Sequence, residues 1–260
     1  MRDGTTTGRK SVTARAGAAA SAGAAAPGRR ERNKLDKLRR IKQATRDLFA
    51  SKGFDDTTIR EIAASAEVGL GTVFVYAANK RDLLFLIANE GLQEVEKRAQ
   101  ASVSGAASML QNLLNVFRPH YAFFARQPGL SRLVLREMAF YGVGAQAGAF
   151  QRTRVALLDL IGEVVRLAIA RKSIATAETP QFVGWAIFCI YQVELRRWLA
   201  QDKLALRDGM DRLRRALTLL MTGLAPGKQA LQVGAVTRRV TKGETAKAKR
   251  IGARARRQSG

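Results

Sequence analysis

Residues 57–84 read TTIREIAASAEVGLGTVFVYAANKRDLL, and their spacing decides the organisation of the chain. Thr58 followed three residues later by Glu61 is a capping-box pattern, after which Ile59, Ile62, Ala63 and Ala66 recur at helical intervals. That helix breaks over Glu67 to Gly69, a second short stretch runs from Leu70 to Tyr76, and Asn79 with Asp82 caps a longer helix beginning at Lys80. Ala63 is small enough to let two helices approach, the turn falls four residues later at Glu67, and Val73 supplies the apolar contact from the second helix. This is helix-turn-helix spacing. Its physical requirement is a second helix held rigidly at a steep angle, so that its N-terminal side chains can enter a DNA major groove.

The surrounding sequence continues in helices. Upstream, Leu38, Ile41, Ala44, Leu48 and Phe49 form an apolar stripe between Leu35 and Lys52, and Gly53 follows as a C-terminal cap. Downstream, the pattern predicts helices over 80–101, 106–126, 130–141, 150–171, 180–201 and 207–224. Pro128-Gly129, the glycines at 142, 144 and 148, and Thr179 before Pro180 mark the breaks. No stretch alternates with a period of two, so the expected fold is all-α.

Composition narrows the function classes. The 260 residues hold 45 Lys plus Arg against 21 Asp plus Glu, with one cysteine and one histidine. Cys189 therefore has no internal disulfide partner, and Cys/His zinc sites cannot be built around a single His120. No nucleophile elbow accompanies that histidine, so an enzyme is not expected, nor any cofactor. The longest nearly unbroken apolar run, Phe182 to Val193, is well short of the ~20 residues a membrane-spanning helix needs. No membrane partner is expected. The N-terminus lacks the apolar core of a secretory signal, which favours a cytoplasmic address; an organelle transit peptide is the alternative.

Charge is unevenly placed. Residues 1–34 carry 8 basic and 2 acidic groups, and residues 226–260 carry 10 basic groups and Glu244 alone. Residues 35–90 hold 9 basic and 8 acidic groups and are almost neutral. Both ends are poor in large apolar residues and read as basic disordered arms suited to polyanions, or else as solubilising extensions. The expected division is an arm over 1–34, a DNA-binding head over 35–80, a larger helical domain over 81–225, and a tail over 226–260.

With the preceding helix, IKQATRDLFASKGF, the segment resembles the tetracycline-repressor (TetR) family of bacterial transcriptional regulators. The G-F, T-x-x-x-I-A, G-T and N-K-R-x-L-L elements occur in order, and the resemblance is dense over about residues 38–87. It implies a three-helix DNA-binding head, a larger C-terminal helical domain for ligand binding and dimerisation, and a homodimer reading a pseudo-palindromic operator in double-stranded DNA. It also implies roles for single residues. Arg60 matches a position that reaches a base edge, where an arginine can pair bidentately with guanine. Leu70, Gly71, Thr72, Val75 and Tyr76 fall on the recognition helix, Lys80 matches a phosphate-contacting lysine, and Thr58 adds a second phosphate contact.

Three positions depart from the family pattern. Glu67 stands where the turn usually has glycine, and a left-handed non-glycine residue costs on the order of 1 kcal/mol. Phe74 replaces the usual phosphate-binding tyrosine, and Ala77 replaces the phenylalanine that commonly packs under the recognition helix. Base readout is therefore expected from Arg60, Thr72 and Tyr76, with methyl contacts to thymine.

In the larger domain, Trp185, Phe188, Tyr191, Leu195 and Trp198 make a helix too apolar all round for one buried face, and are expected at a dimer interface; intrachain core is the alternative. Phe117, Tyr121, Phe124, Phe140, Tyr141 and Phe150 lie on the helices that surround an effector pocket in the family, interleaved with Arg118 and Arg136. That composition suits an apolar or weakly anionic small-molecule effector, and plain core is the alternative. His120 is expected to be a partly solvated helix residue, and Cys189 a buried filler. The resulting expectation is a ligand-responsive, dimeric, sequence-specific DNA-binding regulator of the repressor type, released from its operator by an effector. The competing expectation is a nonspecific, nucleoid-type DNA-binding protein using its basic tails.

Overall fold

The computed structural model describes residues 28–223. The tail over 226–260 and all but the last seven residues of the N-terminal arm lie outside that range. Nine α-helices follow one another among the described residues: α1 (Arg29–Ser51), α2 (Ile59–Ser65), α3 (Leu70–Phe74), α4 (Lys80–Ala101), α5 (Met109–Ala125), α6 (Pro128–Glu137), α7 (Ala147–Ala170), α8 (Pro180–Leu199) and α9 (Leu206–Thr222), with a 3₁₀ turn at Met138–Phe140. No described residue is in a strand.

Helix α1 begins six residues before the expected start, so Arg29–Lys34 are helical and not part of an irregular arm. Arg, Glu and Lys are good helix formers, and Glu31 near Lys34 together with Asp36 near Arg39 and Arg40 place opposite charges one turn apart. The other boundaries follow local chemistry. Gly53 ends α1 with φ +90, the left-handed geometry glycine adopts without strain. Asn79, Ser108 and Thr179 accept hydrogen bonds from the first turns of α4, α5 and α8.

Helix α4 joins head and core. Leu83 to Ala88 are buried in sequence, an all-round burial possible only because α1, α5, α6 and α7 all pack on this helix. Helices α7 and α8 meet at Gly162 and Gly184, where a Cβ on Gly184 would lie 3.1 Å from the Gly162 backbone nitrogen. Removing both side chains lets the two backbones close together and buries Ile161, Val165, Ile187 and Phe188 between neighbours.

Candidate nucleic-acid interface

Thr58 caps α2 reciprocally. Its hydroxyl accepts from the Glu61 amide at 3.2 Å, and the Glu61 carboxylate accepts from the Thr58 amide at 2.8 Å. Lys52 and both Thr58 donors hold the Glu61 carboxyl down at about 2. The turn after α2 runs through Glu67 at φ 51, the left-handed conformation that a glycine would adopt without strain. Arg40 donates to both the carbonyl and the carboxylate of Glu67 at 3.3 Å, which ties the turn to α1. Ala63, Val73 and Ala77 are buried beneath, so the small residue at 77 is fully enclosed by its neighbours.

Arg60, Gly71 and Val75 project into solvent from α2 and α3, with Val75 at 74% exposure, and Arg60 has no described polar partner. Thr72 is half-buried, while Leu70 and Tyr76 are half-buried and lean on the core, leaving only part of each side chain outside. Phe74 is half exposed and presents an apolar edge where a hydroxyl would otherwise stand. Lys80, expected at a phosphate, is also engaged within the chain. Its ammonium donates to the Phe54 and Asp55 carbonyls at 2.8 and 2.7 Å and lies 5.0 Å from the Phe54 ring, so two of its three donors brace the loop between α1 and α2.

Behind the recognition helix lies a junction that sequence reasoning saw only as a helix cap. Asp82 is fully buried and accepts from the Ala78 amide at 2.9 Å, the Ala145 amide at 3.0 Å and the Tyr141 hydroxyl. Burial pushes this carboxyl up, but its hydrogen bonds from Tyr141, Ala78, Ala145 and Gln146 together outweigh that and leave it below the usual range. The Gln146 side chain donates to the Tyr76 carbonyl at 2.9 Å, at the end of the recognition segment. The loop into α7 is thereby bonded directly to the DNA-binding head. Asp82 and Asn79 were readable as caps; Gln146 carries no local signal.

The expected effector residues divide. Phe124 and Phe150 line a small cavity between the core helices, together with His120, Thr153, Phe188 and Tyr191. Phe117 stacks on Tyr191 and Tyr121 packs on Trp198, both as fully buried core. Tyr141 stacks on Phe85 and belongs to the Asp82 junction. Phe140 is 92% exposed and does not face the core, because the 3₁₀ turn points consecutive side chains apart. His120 is buried rather than partly solvated, and burial pushes its imidazole down to about 4 despite the Val116 carbonyl beside it.

The α8 residues expected at a dimer interface also divide. Phe188, Tyr191, Leu195 and Trp198 are buried inside the chain, because α5, α7 and α9 cover that side of the helix. Trp185 alone of the five is exposed. It belongs to a stripe with Phe182 and Val193, with Cys189 half-buried between them, and Leu219 and Leu220 on α9 and Val155 on α7 are further exposed apolar residues.

Residues 41–87 match the family model described as bacterial regulatory proteins, tetR family. A curated relative, the fatty acid metabolism regulator protein of Bacillus subtilis, is 24% identical over 41% of this chain, and the match spans only 55% of that protein's length. Among solved structures, Thermus thermophilus FadR, a TetR-family repressor crystallised with lauroyl-CoA, is 24% identical with a TM-score of 0.56, covering 75% of this chain and 97% of its own. Bacillus subtilis FadR, crystallised with stearoyl-CoA, is 19% identical with a TM-score of 0.58, covering 72% of this chain and 98% of its own. At such identities these likenesses establish the fold. Residues 41–87 thus match the helix-turn-helix of the tetR family of bacterial regulatory proteins, and the helices behind it share the fold of these neighbours.

Proposed function

We propose that the protein is a cytoplasmic, homodimeric transcriptional repressor that binds a pseudo-palindromic operator and leaves it when a small apolar effector occupies the helical core. The observation that carries this reading is the rigid presentation of Arg60, Gly71 and Val75 on one outward face of a helix-turn-helix, on a head bonded through Asp82 and Gln146 to the core. Arg60, Thr72 and Tyr76 serve base contacts, Val75 a thymine methyl, and Thr58 and Lys80 the backbone. The exposed stripe of Phe182, Trp185 and Val193, with Leu219 and Leu220, is the surface offered to a second copy, and two-fold pairing sets the heads roughly 34 to 36 Å apart. Its activity is binding, not turnover. No helix among the described residues is long and apolar enough to cross a membrane.

Two neighbours of like fold carry acyl-CoA, and this core is lined by Phe124, Phe150 and Phe188, so acyl compounds are the proposed effector class. The test is mapping of genomic fragments bound by the purified protein, followed by competition at fixed salt with and without acyl-CoA. A recurrent inverted repeat released by acyl-CoA is expected. Equal affinity for random DNA sinks the reading.

A further inference from the structure

The cavity behind Phe150 is not purely apolar. It measures about 40 Å³ and is lined from α4, α5, α7, α8 and the 3₁₀ turn, and His120 and Tyr191, 4% and 1% exposed, are both among its walls. The His120 Nδ1 lies 3.0 Å from the Val116 carbonyl. A carbonyl only accepts, so Nδ1 carries the ring proton, and Nε2 of the neutral imidazole is a bare acceptor. Neither Nε2 nor the Tyr191 hydroxyl has a polar partner among the described residues, and Tyr191 meets His120 only ring edge to ring face at 5.7 Å. Thr153 donates to the Ala149 carbonyl at 3.3 Å and keeps its lone pairs free on the same wall. Buried polar groups are almost always hydrogen-bonded, and leaving one unpaired is costly. A guest that brings a hydrogen to donate would pair with Nε2 here.

A cleft of about 270 Å³ adjoins it: Met138, Phe150, Arg154, Phe188 and Gln192 line both spaces, and Trp185, Cys189 and Val193, on the face proposed for a second copy, complete the cleft's outer wall. Arg154 lies 5.8 Å over the Phe188 ring and has no acidic partner among the described residues. Arg154 thus stands where the two spaces meet, with Phe150 and Phe188 beside it and the His120 acceptor on the inner wall.

We infer that this site selects a compact acyl carboxylate bearing a hydroxyl at its buried end, with the hydroxyl donating to His120 Nε2, the chain against Phe150 and Phe188, and the carboxylate at Arg154. The inference rests on the acyl-effector reading and sharpens it, since a plain alkyl terminus leaves the acceptor unpaired.

Calorimetry with 10-hydroxydecanoate and decanoate, alongside operator release by each, tests it. The hydroxylated acid is expected to bind about tenfold more tightly, the worth of roughly one hydrogen bond. His120→Leu should remove that preference while leaving decanoate unchanged or tighter, and His120→Gln, which keeps an acceptor, should retain part of it. Should His120→Leu fail to fold, Arg154→Gln on the surface remains, and it should weaken both acids about equally. Equal binding of the two acids to the wild-type protein overturns the inference, the polar pair then serving a buried water, and leaves the acyl reading intact. Retained preference in folded His120→Leu also overturns it. Binding of neither acid overturns the inference, and acyl-CoA titrated into the same protein separates the two ideas: the acyl reading falls only if acyl-CoA also fails to bind.

Discussion

Asp82, in the first turn of α4, accepts a hydrogen bond from the hydroxyl of Tyr141, 59 residues away in sequence. The same carboxylate accepts from Ala78, just beyond the recognition helix, and from Ala145, just before α7. One buried anion therefore fixes the head, the linking helix and the loop leading to Phe150 in a single arrangement. Phe150 lies against Phe85 and Tyr141 and also lines the core cavity, so a guest there and the head share a wall.

Asp82→Asn should destabilise the protein by about 2 kcal/mol at neutral pH, because an amide cannot accept from all these donors and carries no charge at the helix N-terminus. The native hydrogen bonds lower the Asp82 pKa, so the stability they bring is present above the unfolded value near 4 and is lost as pH falls through the lower folded value. Urea denaturation of wild type and variant should show a gap that is full at pH 7 and narrows on acidification below about pH 4.

Gly144→Ala should be far more damaging than Gly142→Ala. Gly144 has φ +144, and a Cβ there would lie 2.1 Å from an Asp82 carboxylate oxygen, whereas nothing stands within 4 Å of a Cβ at Gly142. A loss of about 2 kcal/mol or more for the first, and near neutrality for the second, is the expected result of thermal unfolding.

Glu67→Gly and Glu67→Ala both delete the carboxylate that accepts from Arg40 and keep the backbone carbonyl, but only alanine keeps the left-handed strain at φ 51. The glycine variant should be the more stable by about 1 kcal/mol, measured by chemical denaturation. Equal stabilities would mean that the turn relaxes in the alanine variant.

Lys80→Met should lower both the melting temperature and affinity for every DNA sequence, since its ammonium braces the Phe54 and Asp55 carbonyls. Arg60→Ala should leave the melting temperature unchanged, because its exposed side chain has no described partner, and should relax preference at one position of each half-site. Melting curves and a binding-site selection on both variants check the contrast.

Trp185→Glu should convert dimer to monomer in sedimentation while preserving helical content, whereas Trp198→Ala should cost about 3 to 5 kcal/mol of folding stability. Both tryptophans are on α8, one 53% exposed and one fully buried.

Much of this architecture was legible from the sequence alone. The Thr58–Glu61 pair, Gly53, Asn79 and Pro180 act within one or two turns, so helix boundaries and the helix-turn-helix could be read from neighbours a few residues apart. The position of the turn at Glu67 followed from spacing in the same way, and its left-handed backbone from the resemblance to a family with glycine there. Tertiary structure decided which side of an apolar helix meets its own chain. Periodicity treats Trp185 and Trp198 alike, and only the packing of α5, α7 and α9 separates them. Phe140 and Tyr141 are adjacent, yet one is in solvent and the other under α4. The Tyr141 partner of Asp82, the Tyr76 partner of Gln146 and the burial of His120 were likewise invisible, because burial and hydrogen bonding across 59 or 70 residues depend on helices meeting in space, not on any local pattern.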